Sequence, residues 1–219
     1  MKKIIVTFLM MPLMSMAQNQ MNNQIDSVSY LIGTSFGQNL LENIPEINLK
    51  LLLEGISDKI LEKEERIIDE YELIITKYFQ EKQNLESAGL KAEGIRFMDS
   101  IAMNNEQINK TESGLLYEVL KKSKGKKPIE TDMVRVHYRG TTPSGEVFDS
   151  SYDRGEPIDF TLNQVIKGWT EGLQLMSVGS KYKFYIPQDL AYGEMAPPGS
   201  IIKPFMPLVF EVELIDIIK

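Results

Sequence analysis

Val134-Arg135-Val136-His137-Tyr138-Arg139 decides the fold class of the C-terminal half, because apolar and polar residues alternate through it without a break. A period of two predicts a β-strand in which Val134, Val136 and Tyr138 share one face. His137 is then expected on the opposite face. The segment therefore predicts a strand that turns one side toward a hydrophobic core.

The same alternation recurs on both sides of this segment. Further strands are predicted in residues 115–120, 158–162, 182–186 and 208–214. One helical stretch, residues 165–176, interrupts them and carries Val165, Trp169, Leu173 and Met176 on a single stripe. An antiparallel sheet with one short helix against it is an α+β domain.

The N-terminal half is predicted to be helical, since residues 24–108 carry apolar side chains at helical spacings. Its one internal proline, Pro45, indicates a loop. Residues 65–103 are predicted to form one long helix whose middle, around residues 80–94, has little to bury. A kink or break at Gly89 or Gly94 remains the alternative.

The first seventeen residues have a different character. A basic start, Met1-Lys2-Lys3, precedes the apolar residues 4–16 and the small-residue pattern Ser15-Met16-Ala17. An apolar run of roughly 13 residues is shorter than the about 20 that span a bilayer, so the pattern predicts a secretory signal peptide cleaved near Ala17. The predicted division is a signal peptide at 1–17, a helical domain at 18–112 and a β-rich domain at 113–219.

Composition excludes several kinds of function. The chain of 219 residues has no Cys and one His, so neither a disulfide nor a thiolate or multi-imidazole metal site is expected. Residues 18–112 hold nine Lys and Arg against seventeen Asp and Glu, and the whole chain has a net charge of −7. Nucleic acid is therefore not an expected partner, because binding phosphates requires a basic face. No cofactor is expected either.

Five short segments, in order and in register over about a hundred residues, resemble the FKBP family of peptidyl-prolyl cis/trans isomerases. They are residues 136–140, 145–151, 165–169, 190–193 and 208–214. The helical half resembles the N-terminal dimerisation domain of the macrophage-infectivity-potentiator branch, through residues 29–37, 53–58 and the junction at 113–117. The resemblance implies an FKBP-like antiparallel β-sheet wrapped on a short helix, preceded by an all-α domain with a long connecting helix. It also implies a V-shaped periplasmic homodimer formed through residues 18–112, with association with the outer membrane left open.

Carried over by motif, the resemblance implies a proline pocket with catalytic roles for Tyr138, Asp149 and Tyr192. The implied substrate-binding residues are Phe148, Ile158, Phe160, Val165, Ile166, Trp169, Ile202 and Phe210. Taken singly, most of these aromatic residues are equally consistent with ordinary core packing, and Asp149 with a turn. Ile158 stands where the family usually has an aromatic residue, and the loop 193–205 also departs from its pattern. Substrate preference and macrolide affinity are therefore left open.

The implied function is acceleration of Xaa-Pro isomerisation in unfolded or partly folded proteins, with macrolides as inhibitors. The pocket residues all lie in 113–219, so this part is expected to fold alone and to act on short peptides as fast as the whole chain. His137, on the opposite strand face, is expected to matter little. The alternative function is a chaperone that uses the same cavity to hold unfolded chains, with little turnover.

Overall fold

The computed structural model describes residues 23–63 and 70–218. The chain divides into two compact units, with the division between Asp69 and Glu70. The predicted signal peptide, residues 1–17, lies outside the described residues.

The described residues contain five α-helices and seven β-strands. The helices are α1 (Gln24–Asn43), α2 (Leu49–Ile60), α3 (Tyr71–Asn104), α4 (Ser151–Arg154) and α5 (Lys167–Leu175). The strands are β1 (Asn109–Lys110), β2 (Leu116–Lys121), β3 (Met133–Thr141), β4 (Val147–Ser150), β5 (Ile158–Thr161), β6 (Lys181–Ile186) and β7 (Leu208–Ile218). Short 3₁₀ turns follow β5 and β6, at Leu162–Gln164 and Gln188–Leu190.

The first unit contains α1 and α2, and each begins at an asparagine cap. The Asn23 side chain accepts a hydrogen bond from the Asp26 backbone N–H at 2.9 Å, and Asn48 accepts one from Leu51 at 3.2 Å. Such caps satisfy backbone donors that have no partner within the helix. Pro45 lies in the loop between the two helices, as the sequence predicts. Within residues 23–63 no side chain is buried.

Helix α3 opens the second unit and runs without interruption through Gly89 and Gly94. The break that the two glycines left open is therefore absent from this helix. Residues 64–69, which include the predicted start of the long helix, lie outside the described residues. Gly94 is the one buried residue of α3, which shows that the helix packs against the rest of its unit there.

The seven described strands form one antiparallel sheet in the order β1-β2-β6-β7-β3-β4, with β5 also paired to β3. Along its first part β3 pairs with β5, as in Val134 opposite Phe160, and along its last part with β4. On its other side β3 pairs with β7, as in Tyr138 opposite Val212. Both the N-terminal helices and the sheet confirm the predicted α+β class.

The main core lies between α5 and one face of this sheet. Trp169 and Leu173 of α5 are buried against it. The helix approaches closely because Gly172 faces the sheet: a Cβ at this position would lie 2.7 Å from the Phe184 ring. Most strand residues that the alternation assigned to this core are buried, namely Val134, Val136, Tyr138, Phe184, Ile186, Leu208, Phe210, Val212 and Leu214. Phe160 and Tyr182 are partly buried, and Ile158 is exposed.

A second, smaller apolar cluster lies on the opposite face of the sheet. Leu116, Tyr185 and Val209 are buried there, and side chains of α3, among them Phe97 and Met98, pack against them. Tyr185 lies on the strand face opposite to Phe184 and Ile186. The residue is buried because α3 covers this part of the outer face, a contact that strand periodicity does not contain.

Candidate active site

A cavity of about 650 Å³ opens between α5, the face of the sheet that packs on α5 and the loop that precedes β7. All eleven residues that the sequence assigned to the proline pocket line it: Tyr138, Phe148, Asp149, Ile158, Phe160, Val165, Ile166, Trp169, Tyr192, Ile202 and Phe210. Gln164, Pro197 and Ser200 complete the lining and were not predicted. The structure thus brings the predicted set together, and the role of each residue stays a prediction.

Trp169 forms the centre of an aromatic cluster in this cavity. Its indole is 3% exposed, and the ring centroids of Tyr138 and Phe210 lie 5.0 and 5.1 Å away in edge-to-face orientations. Phe160 lies 5.0 Å away on another side. Edge-to-face packing sets the positive rim of one ring against the negative face of another, which stabilises such ring pairs beyond the burial of their apolar area. Among the buried side-chain nitrogens and oxygens of the described residues, only the indole nitrogen of Trp169 lacks a hydrogen-bond partner.

The mouth of the cavity is more open than its centre. Ile158, at the start of β5, is 37% exposed, and Tyr192 is 40% exposed. Within the described part of the chain the Tyr192 hydroxyl makes no hydrogen bond. It is therefore available to donate to a ligand carbonyl at the mouth.

Three polar side chains form a linked group on one wall. The Tyr138 hydroxyl donates a hydrogen bond to Oδ2 of Asp149, and the Arg154 guanidinium donates to Oδ1 of the same carboxylate. Arg154 also donates to the Tyr138 hydroxyl oxygen at 2.9 Å. Both carboxylate oxygens are thus occupied by donors, and the predicted partnership of Asp149 with Tyr138 is present.

These contacts keep Asp149 ionised. Burial acts to raise the pKa of Asp149, but the hydrogen bonds from Tyr138 and Arg154 outweigh it, and the pKa is lowered below its usual value. Burial and the bond to Asp149 raise the pKa of Tyr138 above that of a free phenol. The hydrogen bond to Asp149 raises the pKa of Arg154 further. The wall therefore carries a carboxylate, a neutral phenol and a guanidinium over the whole neutral range.

Arg154 was not predicted from the sequence. It reaches Asp149 and the Tyr138 hydroxyl because β4 is followed at once by the single turn α4. Ser150 caps this turn at its start, and Gly155 ends it in the left-handed conformation, with a φ of 81°. A serine followed five residues later by a glycine is a weak signal for such a turn. Only the pairing of β3 with β4 sets the turn beside Tyr138.

His137 lies outside the cavity, as the alternation predicts, but it is not isolated. Its Nδ1 is 2.9 Å from the hydroxyl of Ser151, and its ring stacks on Tyr152 with centroids 4.6 Å apart. The Ser151 hydroxyl also accepts from the backbone N–H of Tyr138 at 2.8 Å. His137 thus contacts the first two residues of α4 without lining the cavity, and its small effect on turnover stays a prediction.

Within residues 23–63 and 70–218, no three His, Asp or Glu side chains are grouped so that they could hold a metal ion. In the same ranges no helix has the length and hydropathy required to cross a membrane.

Comparisons with known proteins agree with this geometry. Residues 124–215 match the family model described as FKBP-type peptidyl-prolyl cis-trans isomerase, and residues 25–119 match the domain amino terminal to it. The chain is 43% identical over 204 residues to FkpA of Aeromonas hydrophila, covering 87% of this chain and 75% of that protein. It is 35% identical to the peptidyl-prolyl cis-trans isomerase Mip of Coxiella burnetii over the full length of both. The crystal structure of FkpA from Escherichia coli superposes with a TM-score of 0.68 at 33% identity, covering 90% of this chain and 98% of that one.

An antiparallel sheet around one helix, with a tryptophan-centred cavity between them, defines a peptidyl-prolyl isomerase fold. The chain belongs to the FKBP-type peptidyl-prolyl cis-trans isomerases, in the branch that carries an amino-terminal helical domain and includes FkpA and Mip.

Proposed function

We propose that this isomerase is exported and speeds the folding of exported proteins, by desolvating and twisting Xaa-Pro bonds in the tryptophan-centred cavity. The observation that carries the proposal is the packing of Tyr138, Phe160 and Phe210 around the Trp169 indole. A largely apolar floor of this kind accepts a prolyl ring and displaces water from beside it.

The chemistry needs a shaped cavity rather than a nucleophile, because no covalent bond is broken. Rotation about the Xaa-Pro bond faces a barrier of about 18–20 kcal/mol, since the C–N bond is partly double. In the twisted transition state the amide has lost its resonance, and its carbonyl gains less from hydration than in the planar form. A cavity that excludes water therefore favours the twisted form over the planar one.

Tyr192 and Asp149 supply the polar contacts of this scheme. The Tyr192 hydroxyl at the mouth donates to the substrate carbonyl that precedes the proline, which fixes the peptide. Asp149 does not transfer a proton, because both of its oxygens are engaged by Tyr138 and Arg154. Its charge instead orients the Tyr138 ring and presents a negative potential to the carbon of the twisted carbonyl.

The helical first unit supports assembly into a homodimer through residues 18–112. Helices α1 and α2 bury none of their side chains, and Tyr30, Leu31 and Phe36 of α1 are exposed. Exposed apolar surface of this extent marks an interface, and a second copy of the same chain is the simplest way to cover it. Export to the periplasm rests on the signal-peptide pattern in residues 1–17.

A chaperone with little turnover is the second candidate. It is favoured by the same exposed apolar side chains, together with Tyr71, Ile74 and Phe79 at the start of α3, which suit the binding of unfolded chains. The two functions differ in one observable, which is catalysis on a peptide too short to reach beyond the cavity.

The deciding experiment measures isomerisation of a short Ala-Leu-Pro-Phe peptide by the full chain, with and without the macrolide FK506. We expect catalysis and its inhibition by the macrolide. Phe160→Leu, in the cavity, should lower kcat/KM, whereas Phe184→Leu should only reduce stability, because Phe184 is buried outside the cavity lining. A folded chain that suppresses aggregation but does not isomerise the peptide would favour the chaperone.

A further inference from the structure

The loop of residues 193–207, here called the rim loop, links Tyr192 to β7 and forms one side of the cavity. It contributes Pro197, Ser200 and Ile202 to the cavity lining. The backbone N–H of Phe205 donates to the Gly193 carbonyl at 2.7 Å, which closes the loop at its base. The shape of the cavity mouth therefore depends on the conformation held at Phe205.

Phe205 has an unusual backbone conformation. Its φ is +59°, in the left-handed region that a bulky side chain rarely adopts. Such a conformation costs free energy and persists only where its surroundings hold it in place. The Phe205 side chain is 4% exposed, so the surrounding contacts are extensive.

Helix α3 supplies contacts on the outer side of Phe205. A Cβ added at Gly94 would lie 3.0 Å from the Phe205 carbonyl oxygen and 3.2 Å from Cδ of Pro207, so the helix backbone touches the loop at this point. Three residues earlier on the same helix, the Lys91 ammonium lies 4.3 Å from the centroid of the Phe205 ring. That geometry is a cation–π contact. Gly94 and Lys91 thus hold the backbone and the ring of the same residue.

We propose that Gly94 and Lys91 are positioning residues, which act through Phe205 to hold the rim loop in the conformation that presents Ile202 to the substrate. Helix α3 is then part of the binding site without touching the substrate. The inference rests on the proposed role of the cavity as the prolyl site. We therefore expect substitutions of these α3 residues to change KM more than kcat.

Gly94→Ala and Gly89→Ala in the full chain form a matched pair. Both replace a glycine of α3 by alanine, but a Cβ at Gly89 has nothing within 4 Å. For the Ala-Leu-Pro-Phe peptide we expect Gly94→Ala to raise KM by about 2- to 30-fold, the range of a modest coupling energy, with little change in kcat. Gly89→Ala should leave both constants unchanged.

Lys91 provides a second test that does not depend on the space around Gly94. Lys91→Met keeps the apolar stem and removes the charge, so KM should rise by about 2- to 5-fold, in line with an exposed cation–π contact. Lys91→Arg keeps a cation over the ring and should restore the wild-type KM. If Gly94→Ala does not fold, the comparison of Lys91→Met with Lys91→Arg still tests the role of α3.

Trp169 is the only tryptophan of the chain, so its fluorescence reports on the cavity without any assay of activity. We expect Gly94→Ala and Lys91→Met to change the Trp169 emission, and Gly89→Ala and Lys91→Arg to leave it as in the wild type. Identical KM and emission in folded Gly94→Ala and Gly89→Ala, or in Lys91→Met and Lys91→Arg, would overturn the inference. A wild-type chain without isomerase activity would instead overturn the proposed function, while the emission would still decide whether α3 acts on the cavity.

Discussion

Single side chains on the wall of the cavity depend on one another. Arg154 binds both Asp149 and the Tyr138 hydroxyl, and Tyr138 packs edge-to-face on Trp169. The Asp149 carboxylate is only partly exposed, and donors on both of its oxygens favour its ionised form. Removing any one of these three polar groups should therefore disturb the orientation of the Tyr138 ring.

Tyr192→Phe tests the donor at the mouth. The change removes one hydroxyl, whose hydrogen bond contributes about 0.5–1.5 kcal/mol, so kcat/KM on a short Xaa-Pro peptide should fall roughly 2- to 13-fold. Tyr152→Phe is the matched control, because Tyr152 is 41% exposed, against 40% for Tyr192, and does not line the cavity. An equal effect of the two changes would remove Tyr192 from the mechanism.

Asp149→Asn tests whether the ionised Asp149 stabilises the fold, through the pH dependence of the free energy of unfolding. The pKa of Asp149 is lowered on folding, so its contribution to stability is present above its ordinary pKa of 3.8 and is lost as the pH falls through the lower, folded value. Urea unfolding should show a less stable variant at pH 7 and a difference that shrinks below about pH 4. A difference that stays constant down to pH 2 would contradict the assignment.

At the scale of elements, the sheet is covered by a helix on each face, but over different areas. Helix α5 covers the inner face along the cavity, and the C-terminal turns of α3 cover Leu116, Tyr185 and Val209 on the outer face. A compact unit that starts at Glu70 therefore includes α3. Because the outer-face contacts are lost when α3 is removed, the structure changes the fragment on which independent folding is expected.

Fragments 88–219 and 113–219 test this arrangement. The longer fragment keeps Phe97, Met98 and Ile101 of α3 on the outer face. Since a fully buried apolar side chain contributes about 1.5–3 kcal/mol, we expect 113–219 to be about 2–5 kcal/mol less stable in urea unfolding. The longer fragment should act on short peptides as the full chain does. Equal stability of the two fragments would show that the α3 contact adds nothing.

At the scale of the whole molecule, the two units have different surfaces. The first unit has exposed apolar helices, and the second carries the cavity. If residues 18–112 join two chains, two prolyl sites are available to one unfolded client. Tethering of this kind raises the effective concentration without adding a contact, so it matters only for long substrates.

The chain without the predicted signal peptide, residues 18–219 and here called the mature chain, is compared with fragment 88–219 to test this assembly. Light scattering should give twice the chain mass for the mature protein and the single mass for the fragment. Both should act alike on the short peptide, while the mature chain should be more efficient in refolding a protein limited by proline isomerisation. Double substitution of Leu31 and Phe36 by Ser should give monomers that keep peptide activity.

A matched control for the double substitution is Leu85→Ser. Leu85 is also exposed and apolar, but it lies in the polar middle of α3. It should leave the mass unchanged. A monomeric mature chain, or equal refolding efficiency of mature chain and fragment, would remove the proposed dimer.

The sequence by itself determined the class of the fold and eleven of the fourteen residues that line the cavity. Strand alternation is a local property, and it correctly assigned Val134, Val136 and Tyr138 to one buried face. Five segments in register then identified the family, and through it the eleven residues that line one cavity.

Only the tertiary structure decided which residues meet across long separations. Arg154 reaches Asp149 through one short turn, Tyr185 is buried by a helix more than eighty residues away, and Gly94 touches Phe205 across the same contact. None of these contacts produces a periodic pattern in the sequence, because each depends on how two elements pack and not on the local preference of either. A glycine at position 94 suggests a helix break when its neighbours in sequence are considered alone. Its absent side chain is instead what allows the helix to pack against the loop.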